Sequence, residues 1–304
     1  MFSLFRHVTK LSRSSFPRLL STGTKGNKRA KPKFASDFKP EDAQLLKVSF
    51  QPASFEDVIP SLKGTASAEY LLPEINRYKL GNPGFEIDKL DKVSNRVKTF
   101  IDKMRDVVEN ERVATGTGES RTDTLVDDLL RIADLNVWPL KILNHSLCRI
   151  IIEEKPYASA DLEFVVANRK LNMVAVEDKH IKNIYSPSGF GETQIAANII
   201  ACGDENIRAT DDEEPTDETI FAMRVLSTYV TFYKAEISAS YWAELRRGLP
   251  KTEVIVKRWP GANAKRKGLD LVEPNGRKAV LDALANIREF LLRHEQPDTY
   301  IMSV

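Results

Sequence analysis

Hydrophobic positions follow helical spacing towards both ends of this chain and strand spacing through its middle. From Asp88 to Ala114, Val93, Val97, Phe100, Ile101, Met104, Val107 and Val108 recur every three or four residues, which predicts a helix with one apolar stripe. A second helix is expected over GESRTDTLVDDLLRIADL, residues 118–135. The period then shortens. SLCRIIIEEKPY, 146–157, reads as a short strand whose run Ile150 to Ile152 suits a buried sheet. ADLEFVV, 160–166, and NMVAVEDK, 172–179, alternate as strands, and a turn at Ala167 to Lys170 would set them side by side. GETQIAANIIACGDEN, 191–206, is helical again, with Ile195, Ile199 and Cys202 on one face and Gln194 and Asn198 sharing another. FAMRVLSTYVTFYKAEIS forms a strand pair, KTEVIVKRW one more strand, and the stretch from Lys278 a final amphipathic helix with Val280, Leu284, Ile287 and Leu291 inside. Residues 37–87, punctuated by Pro40, Pro52, Pro60, Pro73 and Pro83, read as an irregular segment wrapped on or loosely tied to the body.

The chemistry concentrates in 158–180. Strand periodicity sends Met173, Ala175, Glu177 and Lys179 to one face and Val174, Val176 and Asp178 to the other. Asp161 opens the preceding strand, so a second carboxylate can approach Glu177. Two carboxylates suit Mg²⁺ or Mn²⁺: a hard cation prefers oxygen and often takes only one or two protein carboxylates. Asp161 and Glu177 are the expected ligands, and Lys179 would steady the attacking water or the developing anion. The same spacing also suits an exposed strand end with a solvated Glu and Lys.

With VEDK on the third strand and GETQ opening the next helix, the chain resembles the PD-(D/E)XK nuclease superfamily, in particular its fungal-type members. The likeness spans roughly Gly116 to Ile237. It implies an α/β, restriction-endonuclease-like core of helix, three-stranded meander, helix and further strands, with a mixed sheet flanked by helices, extended by an N-terminal helical segment and a C-terminal helix. It further implies an acidic residue on the helix before the sheet, here Glu119, and a polar residue facing the site, here Gln194. One position departs from the pattern: Ala160 stands where a proline usually precedes the first aspartate. That change affects a backbone turn and removes no ligand.

Charge divides the chain unevenly. Residues 1–36 hold nine of the 45 basic side chains and no acidic one. This Arg- and Ser-rich start reads as a mitochondrial transit peptide and an expected address in the matrix, or alternatively as a basic arm that binds nucleic acid or anionic lipid. The remaining body carries 36 basic against 43 acidic side chains, formally −7, which argues against broad charge-driven binding to duplex DNA. A nucleic-acid contact must then be local, and Lys257, Arg258 and Trp259, followed by Lys265 to Lys267, are the candidates. The acidic run 211–218 reads as a solvated loop. Thr115-Gly-Thr-Gly lacks the Gly-Lys-Ser/Thr of a phosphate loop, so nucleotide hydrolysis is unsupported. Cys148 and Cys202 form no C-x-x-C, and the four histidines are too scattered for a zinc motif. No apolar run approaches the roughly 20 residues of a membrane helix.

The expected organisation is a presequence, 1–36, an extension, 37–114, and a nuclease-like domain, 115–304. Metal-dependent cleavage of phosphodiester bonds in DNA or RNA is the expected function. The alternative is a catalytically inactive relative that binds nucleic acid or protein in mitochondrial genome maintenance or gene expression. A weaker third possibility is an effector-like or mobile-element protein.

Overall fold

The computed structural model describes residues 33–113, 118–169, 171–183, 185–210 and 214–293, apart from the side chains of Met173 and Asp178. The transit-like start up to residue 32, the Thr115 to Thr117 junction and the first acids of 211–218 lie outside them. The described residues begin with a short strand β1 (Lys33–Phe34), helix α1 (Pro40–Leu45), strand β2 (Val48–Pro52) and single-turn helices α2 (Phe55–Val58) and α3 (Arg77–Leu80). Helices α4 (Asn95–Arg112) and α5 (Ser120–Ile132) lead to strands β3 (Leu140–Ile152), β4 (Lys155–Asn168) and β5 (Leu171–Lys179). Helix α6 (Glu192–Ala209), strands β6 (Glu218–Leu226) and β7 (Tyr229–Ile237), helix α7 (Ala239–Arg247), strands β8 (Val254–Trp259) and β9 (Leu269–Asp270), and helix α8 (Pro274–Arg293) complete the order.

All the strands belong to one mixed sheet ordered β1-β4-β5-β6-β7-β8-β2, with β3 on β4 and β9 on β7. Sequential strands pair antiparallel through tight turns, whereas β5 and β6 run parallel. A parallel pair needs a long crossover, and α6 supplies it. Both sheet faces are covered. One apolar layer joins α4, α5 and α8 with α2, α3 and the residues around them, while the other joins α1, α6 and α7. The architecture is therefore α/β with a large mixed sheet flanked by helices.

Local sequence accounts for the helices. In α4 the residues of the expected stripe from Val97 to Val108 are buried, and each apolar side chain removed from water is worth about 1.5–3 kcal/mol. The helix starts at Asn95, seven residues later than the periodicity suggested, because the Ser94 side chain accepts the Val97 N–H and caps it there. In α8, Val280, Leu284, Ile287 and Leu291 all lie inside. β3 differs more. It begins at Leu140 and is an edge strand paired only to β4, so its residues alternate in burial and Ile151 and Ile152 stay partly exposed.

The proline-rich extension is tied firmly to the body. β2 adds to the sheet parallel to β8. Arg77 donates two parallel hydrogen bonds to Asp270, at 3.0 and 3.1 Å, and a third to Glu111 at 3.2 Å. From α8, the fully buried Arg277 donates to the carbonyls of Leu71, Leu72, Ile75, Leu271 and Val272. Carbonyls in an irregular segment have no ladder to join, and one guanidinium satisfies several of them at once. No helix among the described residues is long and apolar enough to cross a membrane.

Candidate active site

β5 ends on Glu177-Asp178-Lys179, between β4 and the parallel β6. Here Lys179 Nζ lies 3.0 Å from Glu177 Oε1, 3.3 Å from Glu119 Oε2 and 3.5 Å from Glu163 Oε1. These carboxylates come from three places. Glu177 shares the strand face of Lys179, Glu119 stands immediately before α5, and Glu163 lies in β4. Asn198, fully buried on α6, donates its amide to Glu177 Oε2 at 3.0 Å. Asn183, four residues beyond Lys179, donates to Glu119 Oε1 at 2.8 Å. Gly191, with φ of 92°, takes the left-handed conformation that glycine adopts without penalty and begins α6, whose second turn brings Asn198 to Glu177.

Asp161 does not join this cluster, and Glu163 stands in its place. Asp161 is exposed in the middle of β4, not at its start, and forms no hydrogen bond or ion pair among the described residues. The cause is a slip in the alternation of β4. Ala158, Ala160, Leu162 and Val165 pack in the layer under α6, whereas Phe164 and Val166 pack in the opposite layer. The change of face falls at Glu163, opposite His145, whose φ is 50°. The ladder there skips from Asn144 with Phe164 to Ser146 with Leu162. Before the slip, Asp161 points away from the α6 side, as the neighbour of two residues that point towards it. Glu163, at the slip, reaches Lys179 with one oxygen and lies 3.6 Å from His145 Nδ1 with the other. A cleft of about 240 Å³ opens beside it, lined in part by Asp123, Asn144 and His145.

Burial sets the electrostatics. Glu177 is 1% exposed, and removal from water pushes its carboxyl up to about 7, against the pull of Lys179 and the Asn198 amide. Burial alone would lower Lys179, but Glu177, Glu119 and Glu163 outweigh it and hold the ammonium charged above its ordinary range. Glu177 Oε1 is buried, with that ammonium 3.0 Å away as its partner among the described residues. A carboxylate oxygen paired only with an ammonium keeps a lone pair that a hard cation could share. Among the described residues no group of three or more His, Cys, Asp or Glu is placed to hold a metal. A site using Glu177 and Glu163 alone still suits Mg²⁺, which keeps several waters of its own.

The other expected site residues are placed as follows. Gln194 is partly buried in the first turn of α6, one turn before Asn198, and makes no side-chain hydrogen bond among the described residues. Lys257, Arg258 and Trp259 do not form one surface. Arg258 is buried under the sheet in an ion pair with Glu192, and Trp259 packs on the other side between Phe55 and Phe232. Lys257 is 4.0 Å from Asp57. Successive strand residues face opposite ways, so a K-R-W triplet is divided by its own periodicity. His180 is fully buried, and its Nδ1 accepts the Lys182 N–H. Cys148 and Cys202 are free and buried.

Four further residues, Asn183 among them, were not assigned to the site from the sequence. Glu163 was visible as the next carboxylate along ADLEFVV, and Asn198 as the partner of Gln194 on one helix face. Arg224 is the fourth. It lies in register with Glu177 on β6, only 1% exposed, and a lone charge within FAMRVL was its signal. No family model matches the chain, and no curated protein matches it.

Proposed function

We propose that the chain is a metal-dependent phosphodiester hydrolase, a nuclease of the PD-(D/E)XK type acting in mitochondria. The observation that carries this reading is a lysine met by carboxylates from β4, β5 and the start of α5, of which the β5 glutamate is fully buried. Glu177 and Glu163 would hold Mg²⁺ or Mn²⁺, which when bound lowers the pKa of water and offsets charge on phosphoryl oxygens. Lys179, one fifth exposed, reaches the mouth of the site, where its fixed charge stabilises the anion that grows as phosphate is attacked. Asn198 fixes the orientation of Glu177, and Asn183 that of Glu119. Gln194, one helical turn before Asn198 on α6, would act as a donor for phosphate or water.

The test is an assay on single- and double-stranded DNA and RNA with Mg²⁺, Mn²⁺ or chelator. Cleavage is expected with either metal and not with chelator, and Glu177→Gln should lower it about 100-fold or more. Undiminished cleavage in that variant, or none by a folded wild-type chain on any of the four substrates, overturns the reading. A second reading is favoured by the absence, among the described residues, of a three-ligand group: a nucleic-acid-binding relative in which the lysine cluster is a structural ion pair. Glu177→Gln would then leave binding intact, and no cleavage would be found.

A further inference from the structure

Two groups, one in the loop between β5 and α6 and one in the loop between β8 and β9, are not used by the hydrolytic chemistry. Tyr185 is 64% exposed, and Lys265 Nζ lies 5.3 Å from the centre of its ring. Tyr78 and Trp138 are more exposed, yet neither has a basic side chain over its ring among the described residues. The position of Tyr185 follows from the chain. Asn183 touches Glu119, which touches Lys179, and two residues span at most about 7 Å. The Tyr185 backbone therefore follows within about 7 Å of the Asn183 backbone.

Partly buried hydrogen bonds join the two loops that carry this pair. Arg224 donates Nη1 to the Phe190 carbonyl at 2.6 Å and to Asn263 Oδ1 at 3.1 Å, and Asn263 donates in turn to the Gly189 carbonyl at 2.9 Å. The loop after Tyr185 and the loop before Lys265 are thereby fixed to the strand next to Glu177. Among the described residues Lys265 forms no ion pair with a carboxylate. An exposed ring and an unneutralised ammonium, held together beforehand, match the two parts of a nucleotide: a base to stack and a phosphate to neutralise.

We propose that Tyr185 and Lys265 form a docking site for a single-stranded stretch of nucleic acid, with a base on the tyrosine and a phosphate on the lysine. This assignment of substrate rests on the hydrolase reading of the neighbouring cluster. A single strand is specified because the bases of a duplex already stack on one another and present no free face to a side chain. The acidic body also lacks the broad positive surface that duplex binding draws on.

Binding is measured by fluorescence anisotropy in chelator, so that no cleavage intervenes. The probes are a labelled 12-nucleotide single strand, as DNA and as RNA, and the matching DNA duplex, each with the full chain. Tyr185→Ala is expected to weaken single-strand binding about tenfold, while Tyr185→Phe keeps it and duplex binding does not change. Lys265→Gln should flatten the dependence of log Kd on log salt by about 0.7. Loss of affinity in Tyr185→Ala equal to that in Tyr185→Phe, no loss in either, or no single-strand binding by the wild type overturns the proposal. Cleavage with Mg²⁺, assayed separately, distinguishes the two readings. A chain that cleaves while Tyr185→Ala binds normally loses only this site, and one that never cleaves but binds through Tyr185 loses only the hydrolase reading.

Discussion

Removing the ammonium of Lys179 should destabilise the fold far more than removing the charge of Glu177, although the two form one ion pair. In Lys179→Met, three carboxylates remain within reach of the vacated position, and Glu177 is buried with no cation beside it. Leaving a buried charge without its partner costs about 3–5 kcal/mol. In Glu177→Gln, the lysine keeps Glu119 and Glu163, and the new amide oxygen can still accept from Asn198. The expected cost is about 1 kcal/mol, close to that of one altered hydrogen bond. Urea denaturation at pH 8, with the slope m compared between variants, measures both values.

The pH dependence has a definite sign. Burial raises the Glu177 carboxyl above its ordinary value, so the folded state binds more protons than the unfolded one between the two values. Stability from this group is fully present below the unfolded value and is lost as pH rises through the folded one. Without Lys179 only the Asn198 amide still offsets the burial, and the penalty in Lys179→Met should shrink as pH is lowered from 8 to 5. Equal costs in the two variants, or a penalty that grows towards pH 5, would show that the cluster is not organised around the lysine.

The choice of ligand from β4 is testable by activity: Glu163→Gln should lower metal-dependent cleavage about 100-fold, while Asp161→Asn stays within about threefold of wild type, and the reverse order would restore Asp161 as the ligand. Arg277→Met takes the donor from five backbone carbonyls at about 1 kcal/mol each. A total near 4–6 kcal/mol by urea denaturation, with early proteolysis in 60–90, is expected, and a loss under about 1 kcal/mol would mean that the extension is held by other contacts.

Local periodicity was enough to place Glu177 and Lys179 on one strand face, to set the inner stripes of α4 and α8, and to put Gln194 and Asn198 together on α6. These features depend on neighbours two to four residues away, and the spacing of side chains along a strand or helix fixes them whatever the rest of the chain does. Which carboxylate meets the lysine is a different kind of fact. It depends on a break in the side-chain alternation at Glu163 opposite His145, where the strands keep their register but the residues before the break face the other way. The burial of Arg258, Arg224 and Arg277 and the packing of Trp259 between two rings depend likewise on strands and loops distant in the sequence. A charge reads as exposed until the partners that satisfy it are known, and those partners were supplied by tertiary structure alone.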